Sequence, residues 1–152
     1  QAPVAGELRT IVSAIRVVFE LARMGDLAAH VAKIARLRFP DSAVPENLRE
    51  NFARMSEVCL DMIRLAHQSL KDRDAEAALR MAEIDHEMDG LRRDHFGVLL
   101  GESWSGSVEQ AIDVALLGRY YERFADHAVA VARRVIYIIT GGFPEGEEWP
   151  NA

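Results

Sequence analysis

The sequence has few of the features that define several common classes of protein. It contains one cysteine, Cys59, on a predicted apolar helix face, so we interpret that thiol as buried and unreactive rather than as a nucleophile or a disulfide partner. No run of about eighteen apolar residues is present and no signal peptide is recognised, so we expect a cytoplasmic protein without a membrane span. There is also no P-loop, glycine-rich nucleotide fingerprint, nucleophile elbow or zinc-finger spacing of Cys and His.

Positive charge is also scarce. The 18 Lys and Arg are outnumbered by 24 Asp and Glu, which gives a formal net charge of −6. Nucleic acid is therefore not expected as the main partner, since phosphate backbones require concentrated positive charge. We interpret the two short basic clusters, Lys33/Arg36/Arg38 and Arg133/Arg134, as solvated faces. A chain of 152 residues that is 49% hydrophobic is long enough for one domain with a core.

Apolar residues recur at helical spacing along most of the chain, which predicts four long helices and an all-α antiparallel helix bundle. Proline, glycine and aspartate mark the expected ends. The first helix is predicted from about Glu7 to Leu37, the second from Pro45, the third from an N-cap at Asp74, and the fourth from the loop Gly101 to Gly106 as far as Thr140 and Gly141.

An internal repeat appears when each residue is compared with the residue 100 positions later. Asp26 recurs as Asp126, in the first and fourth predicted helices. The copy is imperfect, because Ala22 stands where the second copy has Glu122. Four further identities share the same offset: Arg23/Arg123, Ala28/Ala128, Val31/Val131 and Ala32/Ala132.

Two pairs of acids lie four residues apart on predicted helices. Asp85 and Asp89 are on the third helix, and Glu122 and Asp126 are on the fourth, so each pair projects from one face. If the helices are antiparallel, the pairs face each other. Four carboxylates would either bind a divalent or trivalent cation or form surface salt bridges, and spacing alone leaves both interpretations open. In the salt-bridge interpretation, Asp85 and Asp89 pair with Arg92 and Arg93, and Glu122 and Asp126 pair with Arg119 and Arg123.

Two segments resemble the signature helices of the PhoU family of phosphate-uptake regulators, particularly its actinobacterial members. They are ELARMGDLAAHVAKIA, from Glu20 to Ala35, and YERFADHAVAVARRVIYIITG, from Tyr121 to Gly141. The resemblance implies two three-helix repeats in a longer chain. We therefore interpret residues 1–40 as the final helix of a first repeat, residues 41–141 as a complete second repeat, and residues 142–152 as a flexible tail.

The resemblance also implies a metal site. The family's E(D)xxxD motifs hold metal, in some members as multinuclear iron or zinc clusters, and they match DHEMD at 85–89 and ERFAD at 122–126. A divalent or trivalent metal, with iron or zinc as candidates, is therefore expected at Asp85, Asp89, Glu122 and Asp126. In the first repeat only Asp26 matches, because Ala22 removes one acid, so Asp26 is a fifth candidate ligand.

The function implied by the resemblance is not enzymatic. It is negative regulation of phosphate uptake and of phosphate-starvation signalling, by binding the ATPase of the phosphate ABC transporter and its sensor histidine kinase, as a homodimer. The alternative is a ferritin-like di-iron oxidase or iron-binding bundle, because Glu83 to His86 reads E-x-x-H, although no second such motif is present.

Further residues carry structural expectations. His95 lies in the apolar seam of the third helix, and we interpret it as a hydrogen-bonded core histidine. His127 follows Asp126 but points about 100° away on the helix, so it is at most a neighbour of the metal ligands. An apolar face of the first helix is expected to be exposed or covered by another chain, since its partners within its own repeat are not in the sequence. It consists of Leu8, Ile11, Val12, Ile15, Val18 and Phe19.

Overall fold

The computed structural model describes residues 4–102 and 104–144. In these residues the chain forms four α-helices, one short 3-10 helix and no β-strand, so the all-α prediction is confirmed. The helices are α1 (Ala5–Arg38), α2 (Arg49–Asp72), α3 (Ala75–Leu100) and α4 (Val108–Thr140), and the 3-10 helix is Glu46–Leu48.

Local sequence signals set most helix ends. The Asp74 carboxylate accepts hydrogen bonds from the backbone N–H groups of Glu76 and Ala77 at 2.9 and 3.0 Å, as predicted for an N-cap. Gly141 ends α4 with φ 82°, a conformation that favours glycine. One boundary differs from the prediction: Pro45 precedes the 3-10 helix, and α2 begins one turn later, at Arg49.

The other three helices pack around α4. Helix α1 runs antiparallel along α4, since Arg9 lies over the Tyr137 ring near one end and Arg38 binds Asp113 near the other. Helices α2 and α3 pack against each other and against α4. The core combines methionine with small side chains, which allow the helices to approach closely. Its most buried members include Met55, Met62, Met81, Met88, Ala77, Ala78, Ala125 and Ala128.

Two predictions about single side chains have different outcomes. Cys59 is buried as expected, and burial raises the pKa of its thiol to about 12, which keeps it protonated and unreactive. The interpretation of Arg38 as part of a solvated face was wrong. Its Nη2 donates to Oδ1 of Asp113 at 3.1 Å, and Asp113 is only 4% exposed. A buried carboxylate requires such a partner, so Arg38 is held where α1 meets α4.

The apolar face predicted on the first half of α1 is exposed, which confirms that expectation. Only Ser13, Val17, Met24 and Ile34 of this helix are buried. The exposed large side chains at its first four turns are between 48% and 64% accessible; they are Leu8, Ile11, Val12, Ile15, Val18 and Phe19. This is a concentrated apolar surface of the kind that marks interaction sites.

The end of the chain is described only in part. Residues 145–152 of the predicted flexible tail lie outside the described residues. Before them, the Phe143 ring stacks on Tyr137 at 4.4 Å between centroids, and the guanidinium of Arg134 lies over the Phe143 ring. No helix within residues 4–102 and 104–144 is long and apolar enough to cross a membrane.

Candidate metal centre

The two predicted acid pairs face each other across the contact between α3 and α4. Burial raises the pKa of Asp85 to about 6, and the negative charges of Asp89, Asp126 and Glu122 add to this effect. Asp89 belongs to the same helix, whereas Asp126 and Glu122 belong to α4. The antiparallel arrangement expected from the sequence therefore brings all four carboxylates into one electrostatic neighbourhood.

Three of the four acids form no ion pair with any residue that the structure describes. In the described part of the chain, no Lys or Arg nitrogen lies within 4.0 Å of a carboxylate oxygen of Asp85, Asp89 or Asp126. Burial, followed by the charge of Glu122, also raises the pKa of Asp126, with Arg123 as the strongest opposing charge. The ionised forms of Asp85 and Asp126 are accordingly destabilised, which is the condition that a bound cation relieves.

Glu122 has a different environment. Its side chain is only 13% exposed, and its carboxylate binds Arg119 on α4 and Arg92 on α3, the latter at 3.3 Å. The salt-bridge interpretation therefore holds for Glu122. It does not hold for Asp85 and Asp89, for which Arg92 and Arg93 were the expected partners. The cross-helix pair between Arg92 and Glu122 was not predicted.

The donor chemistry of the cluster fits a hard cation, because all four side chains offer carboxylate oxygens. Three of them are partly buried, and Asp89 is exposed. The side chains are not arranged for ligation. Among the described residues, no three His, Cys, Asp or Glu side chains converge closely enough to hold one ion. Glu122 in particular is directed to two arginines. The assignment of a metal to Asp85, Asp89, Glu122 and Asp126 stays a prediction.

Asp26, the fifth candidate, lies apart from this cluster. It is exposed on α1, where its carboxylate is 3.9 Å from Nη1 of Arg23 in the preceding turn. None of the charges that shift the pKa of Asp85 or Asp126 comes from Asp26. The role of Asp26 as a metal ligand therefore stays a prediction, and its position does not connect it to the other four acids.

Histidines near the cluster have structural contacts. Nδ1 of His127 lies 2.7 Å from Oε2 of Glu20, which joins α4 to α1; sequence reasoning did not find this pair. His86 and Glu83, which suggested the E-x-x-H motif, are both exposed. His95 is a core histidine as predicted. Its Nδ1 lies 3.3 Å from the Leu91 carbonyl oxygen, and its buried Nε2 has no partner.

These observations define a class of protein: a helical bundle with acid pairs on two adjacent antiparallel helices. The PhoU domain model matches residues 52–135, and the chain belongs to the PhoU family. The phosphate-specific transport system accessory protein PhoU homolog 1 of Mycobacterium leprae is 50% identical over all 152 residues, which span 68% of that protein. PhoU homolog 2 of Mycobacterium tuberculosis H37Rv is 52% identical over 144 residues, which cover 95% of this chain and 68% of that protein.

A solved structure supports the fold. The crystal structure of the phosphate transport system regulatory protein PhoU from Streptococcus pneumoniae superposes with a TM-score of 0.83. The match covers 94% of this chain and 68% of that chain, with 24% sequence identity. The bundle architecture is therefore shared even where the sequences have diverged.

Proposed function

We propose that this protein is an accessory regulator of the phosphate transport system, which represses phosphate uptake and phosphate-starvation signalling by binding other proteins. The observation that carries this proposal is identity of about half over the whole chain to proteins named as phosphate-specific transport accessory proteins. Such a role requires binding and release rather than turnover, so the protein acts as a regulator and not as an enzyme.

The proposed partners are the ATPase of the phosphate ABC transporter and the sensor histidine kinase, both met from the cytoplasm. The exposed apolar face of α1 supports a protein-binding role, since a contiguous apolar surface favours association with another protein surface. We assign this face to a proposed homodimer, in which the face of each protomer is covered by the other, so the ATPase and the kinase would bind elsewhere on the bundle.

The proposed metal has a structural role. A divalent or trivalent ion, with iron and zinc as candidates, would be held by Asp85, Asp89, Glu122 and Asp126. Its charge would neutralise the repulsion among acids on α3 and α4 and thereby fix the packing of these helices. Asp26 on α1 would require ligands other than these four.

The test replaces one acid on each helix. The D89N/D126N variant is expected to lose the gain in melting temperature that Zn²⁺ or Fe³⁺ gives to the wild-type protein, and to bind the transporter ATPase more weakly in metal-containing buffer. A D94N variant is the control, because Asp94 is an exposed acid on α3 outside the cluster. Equal stability and equal ATPase binding in all three proteins would show that the cluster has no such role.

The ferritin-like alternative receives no support from the structure. Di-iron carboxylate sites project into the bundle interior, whereas Glu83 and His86 are exposed. A ferroxidase assay with iron(II) and oxygen distinguishes the two functions. A regulator is expected to show no oxidation rate above that of free iron, and sustained turnover would favour the alternative.

A further inference from the structure

An apolar trough lies between α1 and α2, with α4 as its floor. Both helices pack against α4, but within the described residues they make no extended contact with each other. Two cavities, of about 250 and 420 Å³, follow one another along this gap and share Val31 of α1 and Tyr121 of α4 as lining residues. We call the two cavities together the α1–α2 trough.

The lining of the trough is almost entirely uncharged, although 28% of the sequence is charged. The rings of Tyr120, Tyr121 and Phe124 form part of its floor, and each residue is only half-buried. The walls add smaller apolar side chains, such as Ala28 of α1 and Leu60 of α2. Partly accessible aromatic rings in an apolar groove are typical of protein-binding hot spots.

Two polar side chains in the lining are already hydrogen-bonded within the chain. Sγ of Cys59 donates to the Tyr121 carbonyl oxygen at 3.8 Å. The Ser42 hydroxyl donates to the Val44 carbonyl oxygen at 2.8 Å. The trough therefore gains most from an apolar occupant, which removes its surface from water.

Asp41 is the one charged side chain among the described residues that line the trough. It lies in the loop after α1, at the end of the trough where α1 ends and α2 begins. Its carboxylate is exposed and forms no ion pair with any described residue. The neighbouring arginines have other partners: Arg38 binds Asp113, and Arg49 binds Glu46 at 2.7 Å. An occupant of the trough therefore meets an unpaired negative charge at this end.

We propose that the α1–α2 trough binds an amphipathic helix of a protein partner, whose apolar face enters the two cavities and whose Lys or Arg pairs with Asp41. The trough follows α1 from Leu27 to Ala35, a rise of about 12 Å, which accommodates two turns of a helix. An anionic lipid headgroup fits less well, because Asp41 would repel it. The inference rests on the proposed function, since it assigns a binding surface to the transporter ATPase or the sensor kinase.

The first experiment places charge on both walls of the trough. The A28E/L60E variant changes one exposed residue on α1 and one on α2. A29E/L79E is the matched control, because Leu60 and Leu79 are each 49% exposed and neither Ala29 nor Leu79 lines the trough.

The probe is a fluorescent peptide with leucines at positions i, i+3, i+4 and i+7 and lysines elsewhere, and fluorescence anisotropy measures its binding. We expect A28E/L60E to weaken binding at least about tenfold, since two carboxylates would lose water in the complex. The control adds the same charge and should bind at least as tightly as the wild type. Equal binding by the two variants would refute the proposal.

The second experiment reverses the charge at Asp41, which lies in a loop and does not depend on the packing of the helices. We expect D41K to weaken the lysine peptide about two- to fivefold, and to strengthen a peptide with glutamates in place of the lysines by a similar factor. D94K is the control, because Asp94 is an exposed acid on α3 outside the trough. Equal shifts in D41K and D94K would indicate a general effect of charge and refute the pairing. Circular dichroism melting verifies that every variant is folded; if A28E/L60E is not, the D41K comparison decides.

The wall variants are then measured by isothermal titration calorimetry with the purified transporter ATPase and the cytoplasmic part of the sensor kinase. At least one of these proteins is expected to bind the wild type and A29E/L79E alike, and A28E/L60E at least about tenfold more weakly. If neither binds the wild type, the proposed function is refuted and this inference with it. If one binds all three proteins equally, the proposed function stands and the trough alone is refuted as its docking surface.

Two further outcomes would assign the trough to a different occupant and overturn the proposal. Loss of binding to phosphatidylglycerol vesicles in A28E/L60E, but not in A29E/L79E, would indicate a lipid. Conversion of a dimer to a monomer by A28E/L60E alone, seen by light scattering, would indicate a second copy of this chain.

Discussion

At the scale of single residues, Gly118 has the clearest structural requirement. A Cβ atom added at this position would lie 2.2 Å from Nε2 of His95. The His95 ring has little freedom to move, because it is fully buried between Phe52 and Phe96, with ring centroids 5.3 and 4.8 Å away. Glycine is thus required on α4 by the histidine of α3, although its backbone is helical.

Replacement of Gly118 by alanine should therefore destabilise the protein, whereas an ordinary change from glycine to alanine within a helix stabilises it. We expect G118A to lower the free energy of unfolding by about 1–3 kcal/mol through overpacking. G97A on α3 is the control, because an added Cβ there meets nothing within 4 Å, and it should stabilise by about 0.5–1 kcal/mol. Urea denaturation followed by circular dichroism measures both, and equal stabilisation by the two variants would contradict the packing argument.

His95 should also make stability depend on pH. Burial lowers the pKa of its imidazole; among the charges around it, Arg92 adds to this effect, while Asp94 and Glu122 oppose it, as does the Leu91 carbonyl. From α2 it is faced by the uncharged Phe52 ring. Between the unfolded pKa of about 6.5 and the lowered folded value, the unfolded chain binds more protons, so stability falls as pH falls.

The measurement compares urea unfolding of the wild type and H95Q between pH 8 and pH 4.5. Other groups titrate in this range, so the informative quantity is the difference between the two proteins. We expect the wild type to lose stability relative to H95Q as pH falls below about 6.5. H67Q, at an exposed position on α2, is the control and should show no such difference from the wild type. A pH-independent difference for H95Q would contradict this prediction.

At the scale of helices, the two copies of the repeat occupy different environments. Ala128, Val131 and Ala132 on α4 are buried, while Ala28 and Ala32 on α1 are exposed. Within the described residues α4 packs against three helices, whereas α1 packs mainly against α4. The same motif therefore gives a partly buried acid at Asp126 and an exposed acid at Asp26.

The pairing of α1 with α4 should depend on Asp113 more than on Glu109, although both bind Arg38. Asp113 is buried, whereas the Glu109 side chain is 68% exposed. An exposed pair is worth about 0–1 kcal/mol, so E109A should have a small effect. D113A removes the buried carboxylate that binds the guanidinium of Arg38. We therefore expect a clearly larger fall in melting temperature for this variant. Differential scanning calorimetry tests this order, and equal falls would refute it.

The features that depend on local signals could be predicted from the sequence. The caps at Asp74 and Gly141 and the facing acid pairs of α3 and α4 follow from residue type, helical period and an antiparallel turn. Three contacts near the candidate site and the α1 interface that it did not predict cross between helices: Arg92 with Glu122, Arg38 with Asp113, and Glu20 with His127. Such pairs depend on the rotation and register of each helix, which periodicity leaves undetermined.

At the scale of the whole molecule, the exposed face of α1 is the main apolar surface that the described residues leave uncovered. Ile15 and Phe19 lie four residues apart at its centre and are 53% and 64% exposed. The proposed homodimer would remove this surface from water, which favours association in proportion to the apolar area covered. A symmetric dimer would use the same face on both protomers.

An I15E/F19E variant tests this arrangement. Light scattering coupled to size-exclusion chromatography should show a dimer for the wild type and a monomer for the variant, because four carboxylates would be placed in one twofold interface. L79E/L100E is the control, since Leu79 and Leu100 are exposed apolar residues on α3, and it should remain dimeric. A wild-type monomer at high protein concentration would remove the homodimer from the proposal, and an unchanged dimer in I15E/F19E would place the interface elsewhere.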